Sequence, residues 1–109
     1  MENKDIYGCP IENTMDLIAG KWKLIILWHL AKDEILRYSE IKKVVPSITH
    51  KMLSQQLKEL EAAGFINRKV YPTIPPKVEY SLTDLGKSFL PILNSLSEWG
   101  EVYINSKRS

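Results

Sequence analysis

Apolar residues recur along the first third of the chain at the spacing of amphipathic helices. Pro10 suits the first position of a helix, and Gly20 is a natural end for it. The apolar stripe of this helix consists of Ile11, Met15 and Ile18. A second helix is predicted over residues 21–32, and a short strand over residues 35–38, where the helical spacing gives way to a β-rich run.

The clearest helical pattern lies between Thr49, which suits an N-cap, and Gly64, which suits a C-terminal stop. Its apolar face is Leu53, Leu57 and Leu60, and its opposite face is polar. A shorter helix over residues 40–45 precedes it, with Ser39 as the expected N-cap and Pro46 beyond its end. Two helices separated by a three-residue turn predict a helix-turn-helix over about residues 39–64.

A β-hairpin is predicted to follow over about residues 65–82. Residues 65–71 are β-rich, and Val78, Tyr80 and Leu82 alternate as a returning strand. Residues 72–76 contain three prolines, which cannot join a sheet ladder, so they form the tip. A hairpin directly after a helix-turn-helix is typical of a wing.

The last predicted helix spans about residues 84–106, with Thr83 as its cap and Pro91 as the point where it should kink or divide. One broad apolar face contains Leu85, Phe89, Ile92, Leu93, Leu96, Trp99 and Tyr103. This face is longer than so small a core needs, so a second copy of the chain is expected to cover it. The predicted homodimer is held by the C-terminal helix with help from the N-terminal one.

These elements predict an α+β, mainly α fold: a winged helix-turn-helix with a C-terminal dimerisation helix, forming one domain over residues 1–109. The composition, 44% hydrophobic and 26% charged, is that of an ordinary folded protein. The longest apolar run, residues 24–28, is far too short to span a bilayer, and no signal peptide is recognisable. We therefore expect a cytoplasmic protein with no membrane partner.

Charge is distributed unevenly along the chain, although the formal net charge is only +2. Residues 1–36 have four Lys or Arg against six Asp or Glu, whereas residues 37–79 have eight against four. Residues 80–109 have three of each sign. The positive charge therefore lies in the helix-turn-helix and hairpin, as a surface that binds phosphate requires.

Candidate DNA-binding residues are the polar and basic side chains of this segment. Lys51 is suited to guanine and Gln55 to adenine in the major groove, whereas Lys58, farther along the helix, is suited to a backbone phosphate. The alternative for the whole set is an ordinary solvated surface. The predicted set is Arg37, Thr49, His50, Lys51, Ser54, Gln55, Lys58, Arg68, Lys69 and Lys77.

Cys9 is the only cysteine, so the chain cannot form an internal disulfide. Its position before a proline-started helix favours the thiolate, which makes it a candidate sensor of oxidants or electrophiles, against the alternative of an inert thiol. Any disulfide would join it to the partner's Cys9 or to a small thiol. His29 and His50 lack neighbours at metal-ligand spacing, so we expect no metal and no cofactor.

The chain resembles the HxlR-type bacterial transcriptional regulators, which are relatives of the MarR-type winged-helix proteins. The resemblance rests on short motifs that follow one another in order from residue 9 to residue 100. They include Cys9-Pro10, Ile18-Ala19-Gly20-Lys21-Trp22, Arg37-Tyr38-Ser39-Glu40-Ile41, Leu53-Ser54-Gln55-Gln56-Leu57, Gly64-Phe65-Ile66-Asn67-Arg68, Pro75-Pro76-Lys77 and Glu98-Trp99-Gly100.

The resemblance implies a homodimer that binds a pseudo-palindromic operator and, in several members, a regulatory thiol near the N-terminus. Two residues depart from the family pattern: Ala19 stands where glycine is usual, and Tyr38 where phenylalanine is usual. Neither is expected to touch the DNA surface.

The predicted function is therefore a DNA-binding transcriptional regulator. Repression is expected rather than activation, because occluding a promoter needs no separate activation surface. A small molecule or an electrophile is the expected kind of inducer. The alternative is a winged-helix module that binds another protein and has no operator. An enzyme is not expected, because the sequence shows no nucleophile–base arrangement and no glycine-rich phosphate loop.

Overall fold

The computed structural model describes residues 8–108; the ends of the predicted domain, residues 1–7 and 109, lie outside the described residues. The architecture is mainly helical with a small antiparallel sheet, as the sequence predicts. In chain order the elements are α1 (Pro10–Leu17), α2 (Lys23–Asp33), β1 (Ile35–Arg37), α3 (Tyr38–Val44), α4 (His50–Ala62), β2 (Ile66–Tyr71), β3 (Lys77–Leu82), α5 (Asp84–Lys87) and α6 (Leu90–Lys107).

The sheet has the strand order β1-β3-β2, with both pairs antiparallel. Strands β2 and β3 form the predicted hairpin, and the proline-rich residues 72–76 join them. Tyr80, in the central strand, lies opposite Leu36 of β1 and Arg68 of β2. Strand β1 therefore connects the hairpin to the helix-turn-helix, because it leads directly into α3.

The core lies where α2, α3 and α4 meet the sheet. Ile26 of α2, Ile41 of α3 and Leu53 and Leu60 of α4 are completely buried. The predicted leucine face of α4 is thus confirmed as a core face. Because burial fixes the rotation of α4, the opposite side of this helix must face away from the protein.

The two ends of α4 are as predicted. The Thr49 hydroxyl accepts a hydrogen bond from the backbone N–H of Met52 at 3.1 Å, which satisfies a free donor of the first turn. Beyond the last turn, Gly64 has a φ of +87°, a left-handed conformation that favours glycine.

Two helix starts differ from the prediction. Helix α2 begins at Lys23 instead of Lys21, since the chain bends after Gly20, whose φ is +97°. Helix α3 begins at Tyr38, so Ser39 is not its N-cap. The reason is that the Glu40 carboxylate accepts a hydrogen bond from the backbone N–H of Arg37 at 2.8 Å, which moves the cap to Arg37.

The predicted final helix is divided, as Pro91 suggests, into α5 and α6. The break falls at Ser88 and Phe89, because the ring of Pro91 would clash with the carbonyl group of Lys87 if one helix continued through this point. In the divided helix, Pro91 lies in the first turn of α6. The break also divides the predicted apolar face. Phe89 and Leu93 belong to the core, whereas Ile92, Leu96, Trp99 and Tyr103 are about half exposed or more.

Candidate nucleic-acid interface

The first turn of α4 is exposed and carries polar side chains. Thr49, His50 and Lys51 all lie at the surface, and the N-terminal N–H groups of the helix lie beside them. A helix N-terminus attracts anions through these N–H groups and through the helix dipole. This end of α4 is therefore suited to a phosphate group.

The outward face of α4 presents Ser54, Gln55 and Lys58. The side-chain amide of Gln55 donates a hydrogen bond to Glu59 Oε2 at 3.1 Å, and Glu59 Oε1 accepts one from Lys23 Nζ at 2.6 Å. The Lys23 ammonium, helped by the Gln55 amide, holds the pKa of the Glu59 carboxyl below its ordinary value. The side-chain amide of Gln55 is therefore already hydrogen-bonded to Glu59 in the absence of a ligand.

A groove of about 370 Å³ separates α4 from the sheet. It brings Lys58 of α4 together with Arg68 of the wing, two predicted DNA-binding residues that are ten positions apart in sequence. The groove is also lined by Glu61, which the sequence interpretation missed. Because Glu61 lies one turn beyond Leu57, its helical position alone could have placed it at this edge.

Two lysines of the wing lie near one aromatic ring. Lys69 Nζ and Lys77 Nζ lie 5.0 and 4.6 Å from the centre of the Tyr71 ring. Glu79 adds a negative charge: one of its oxygens is 3.7 Å from Lys77 Nζ, and the other accepts a hydrogen bond from the Tyr71 hydroxyl at 3.1 Å. Arg37 lies opposite Glu79 in the sheet.

Glu79 was missed in the sequence interpretation, which considered only the basic side chains of the wing. It faces Lys69 on one neighbouring strand and Arg37 on the other. The alternation of β3 placed it on the same face as Lys77, but the strand order β1-β3-β2 was needed to bring Arg37 beside it. The wing is thus less positive than its lysines and arginines suggest.

Arg37 lies at the base of the wing. It lines a second groove of about 320 Å³ together with Lys77 and with Ser39 at the start of α3. The side chain of Arg37 is exposed. Its position between the helix-turn-helix and the wing suits it to a backbone phosphate.

Contrary to the expectation from the sequence, Tyr38 contacts the proposed DNA-binding residues. The Tyr38 hydroxyl lies 3.0 Å from His50 Nδ1 and 3.4 Å from Ser54 Oγ. The reason is the earlier start of α3, which makes Tyr38 its first residue and turns the ring toward the first turn of α4. Both contacted residues belong to the predicted DNA-binding set.

Cys9 lies apart from these grooves. It is exposed and occupies the N-cap of α1, and its carbonyl oxygen accepts the backbone N–H of Asn13 at 3.0 Å. His29 is half-buried on α2. Within residues 8–108 there is no cluster of three or more His, Cys, Asp or Glu able to hold a metal ion. No helix of that range has the length and hydropathy of a transmembrane span.

Comparison with known proteins identifies the family of this chain. The HxlR-like helix-turn-helix family matches residues 17–108. The uncharacterised HTH-type transcriptional regulator YtcD of Bacillus subtilis is 51% identical over 105 residues, covering 96% of this chain and 82% of the relative. A second B. subtilis regulator of the same description, YybR, is 50% identical over 104 residues, covering 92% and 82%.

Solved structures agree with the sequence relatives. The crystal structure described as the HTH-type regulator YtcD matches with a TM-score of 0.84 and 52% identity, covering 89% of this chain and 98% of that one. The redox regulator HypR in its oxidised form matches with a TM-score of 0.81 and 49% identity, covering 86% and 96%. YtcD and YybR are described as HTH-type transcriptional regulators, and HypR as a redox regulator. The chain belongs to the HxlR-like helix-turn-helix family of transcriptional regulators.

Proposed function

We propose that the protein binds a pseudo-palindromic DNA operator as a homodimer and represses transcription by occluding a promoter. The observation that carries this proposal is the groove shared by Lys58 of α4 and Arg68 of the wing. A helix that presents a polar face beside a basic hairpin fits a duplex with the helix in the major groove and the wing along the minor groove, where it meets phosphates. A regulator of this kind acts where the chromosome is, which supports a cytoplasmic location.

The candidate residues divide into two roles in this proposal. Lys51 and Gln55 contact base edges in the major groove. The basic side chains Arg37, Lys58, Arg68, Lys69 and Lys77 contact phosphates and fix the position of the protein on the duplex. Thr49, His50 and Ser54, in the first turns of α4, contact phosphates or base edges.

The apolar surface of α6 supports the homodimer. Trp99 is 64% exposed, and its ring stacks on that of Tyr103 at a centroid distance of 5.5 Å. Helix α1 contributes no buried residue to the described part of the protomer, and its Ile11 is 72% exposed. A second copy that covers α6 and α1 would remove this apolar area from water.

Cys9 is proposed as a redox- or electrophile-sensing residue. Its exposure and its place at a helix N-terminus are the features that a reactive thiol needs. The similarity to HypR, which is described as a redox regulator in oxidised and reduced forms, supports the same role. A modified Cys9 beside α1 would alter the dimer geometry, and so the spacing of the two α4 helices.

A gel-shift assay with sheared genomic DNA tests this proposal against a protein-interaction module that lacks an operator. We expect binding whose logarithm falls linearly with the logarithm of salt concentration, with a slope of about 0.9 per phosphate neutralised. Binding that is absent at low salt would refute the DNA-binding role and favour the interaction module.

A further inference from the structure

The Tyr38 hydroxyl joins the two helices of the helix-turn-helix at the exposed end of α4. Its oxygen lies 3.0 Å from His50 Nδ1, 3.1 Å from the backbone oxygen of His50 and 3.4 Å from Ser54 Oγ. The rings of Tyr38 and His50 are stacked, with centroids 5.8 Å apart and planes 12° from parallel. Tyr38 therefore contacts the imidazole of His50 in two ways: its ring stacks on the imidazole, and its hydroxyl lies within hydrogen-bond distance of Nδ1.

The hydrogen-bonding capacity of a hydroxyl restricts how these contacts can form. A tyrosine hydroxyl has one hydrogen to donate, and a backbone carbonyl can only accept. The contact at 3.1 Å therefore uses the Tyr38 hydrogen to reach the carbonyl oxygen of His50. For all three contacts to be hydrogen bonds at once, His50 Nδ1, at 3.0 Å, has to donate to the Tyr38 oxygen, and the longer contact from Ser54 Oγ fits the remaining lone pair.

A hydrogen on Nδ1 determines whether the second ring nitrogen, Nε2, donates or accepts a hydrogen bond. In a neutral ring with Nδ1–H, the second nitrogen, Nε2, is an acceptor. Nε2 makes no hydrogen bond with any of residues 8–108, and His50 is exposed on the first turn of α4. In the major groove, the groups that could donate to it are the amino groups of adenine and cytosine.

We infer that Tyr38 is a positioning residue that holds His50 as a hydrogen-bond acceptor for the amino group of a base. This inference rests on the proposed DNA-binding function and gives His50 a base-reading role in place of a phosphate contact. Phosphate oxygens have no hydrogen to donate, so a neutral Nε2 acceptor is unsuited to them. A positively charged His50 would instead donate from Nε2 to phosphate, which is the competing outcome of the tests below.

The first test measures the tautomer without DNA. Long-range ¹H–¹⁵N correlation spectra of the full chain, recorded at a pH where the ring is neutral, should show His50 with hydrogen on Nδ1. The Tyr38→Phe variant keeps the ring stack and removes only the hydroxyl, so Nε2–H should gain population. The His50→Asn variant assigns the signals against His29. Hydrogen on Nε2 in the unmodified protein would overturn the inference.

The second test selects bound sequences from a random duplex library. Tyr38→Phe should weaken the preference for adenine or cytosine at one position of each half-site by about fivefold or more, because one base contact is lost. Its affinity for unselected duplex should change less than twofold. Tyr71→Phe, which removes the hydroxyl bonded to Glu79 on the wing, is the matched control and should leave the selected sequence unchanged.

The two readouts separate this inference from the proposed function. An unchanged motif in Tyr38→Phe, or an equal loss of affinity on all duplexes, would contradict base reading by His50 and favour a phosphate contact. Failure of the unmodified chain to select any sequence would instead refute the operator, and base reading with it, whereas the tautomer in the free protein would still be decided by the spectra.

Discussion

The Lys23 ammonium donates a hydrogen bond to Glu59 Oε1 at 2.6 Å and ties α4 to α2. The Lys23 side chain is only 10% exposed, whereas that of Glu59 is 43% exposed. Removing the carboxylate leaves a buried cation without its partner, but removing the cation leaves an anion that water can reach. Glu59→Gln should therefore lower the melting temperature more than Lys23→Met, and thermal denaturation of both variants checks the order.

The same pair gives a pH dependence. Because the pKa of Glu59 is lowered in the folded state, its stabilising contribution is present above the ordinary carboxyl value of 4.5 and is lost as pH falls through the lower folded-state pKa. The stability of the unmodified protein should thus fall in this acidic range more steeply than that of Glu59→Gln. Parallel stability profiles would contradict the ion pair as the cause.

Trp99 should be central to the proposed dimer. Trp99→Asp places a charge in the apolar face of α6, and we expect dimerisation to weaken by about 30-fold or more, as at an interface hot spot. Sedimentation velocity over a range of concentrations measures the change. Ile74→Asp makes the same kind of change at a fully exposed apolar residue of the wing tip and should remain dimeric. Dissociation in both variants would point to general misfolding.

Glu79 should limit the affinity of the wing for phosphate. It contacts Lys77 and lies opposite Lys69 and Arg37, so Glu79→Gln leaves these cations free to meet DNA. We expect binding to unselected duplex to tighten by about two- to fivefold, with a steeper salt dependence. Asp33→Asn removes the same charge at the end of α2 and should change neither quantity. A weaker complex in Glu79→Gln would show that Glu79 instead organises the wing.

Lys51 and Gln55 should determine sequence preference. Lys51→Ala and Gln55→Ala remove proposed base contacts worth about 1–3 kcal/mol each, so they should reduce the discrimination between selected and random duplex. Lys77→Ala removes a proposed phosphate contact and should weaken binding to both duplexes alike. Competition assays with the two DNAs measure the ratio. Equal losses from all three variants would contradict the proposed division of roles.

Cys9 should be required for any response to oxidants. Cys9→Ser keeps the size of the side chain and removes the thiolate, so diamide or a quinone should no longer release the variant from DNA. Its affinity under reducing conditions should match that of the unmodified protein. Release of Cys9→Ser by the same reagents would exclude the thiol as the sensor.

Sequence patterns predicted those elements of the fold whose signals are local. Thr49 and Gly64 mark the two ends of α4, because capping depends on adjacent backbone groups. Pro91 correctly predicted that the final helix is divided. The start of α3 was predicted wrongly because the Glu40 carboxylate competes with Ser39 as the source of the cap. The sequence is compatible with two caps: Ser39 as the N-cap, or Arg37 as the N-cap with Glu40 three residues beyond it.

The candidate site was predictable as a set of polar and basic side chains but not as a network of contacts. The roles of Glu79 and Tyr38 depend on which strands are neighbours and on how α3 meets α4, and both are tertiary relationships. The hydrogen bonds that connect Gln55, Glu59 and Lys23 are also tertiary, because Lys23 on α2 and Glu59 on α4 are 36 positions apart in sequence. Helical spacing shows which face a side chain occupies but not which partner it meets there.

Hydroxyl-radical footprinting of the full protein on the genomic fragment that binds it most tightly, combined with the mass of the complex, tests the proposed dimer on DNA most directly. We predict two protomers per duplex and two symmetric protected segments centred about one helical turn, 10–10.5 base pairs, apart. One protomer per duplex, or a single asymmetric protected segment, would contradict a homodimer that places its two α4 helices in successive major grooves.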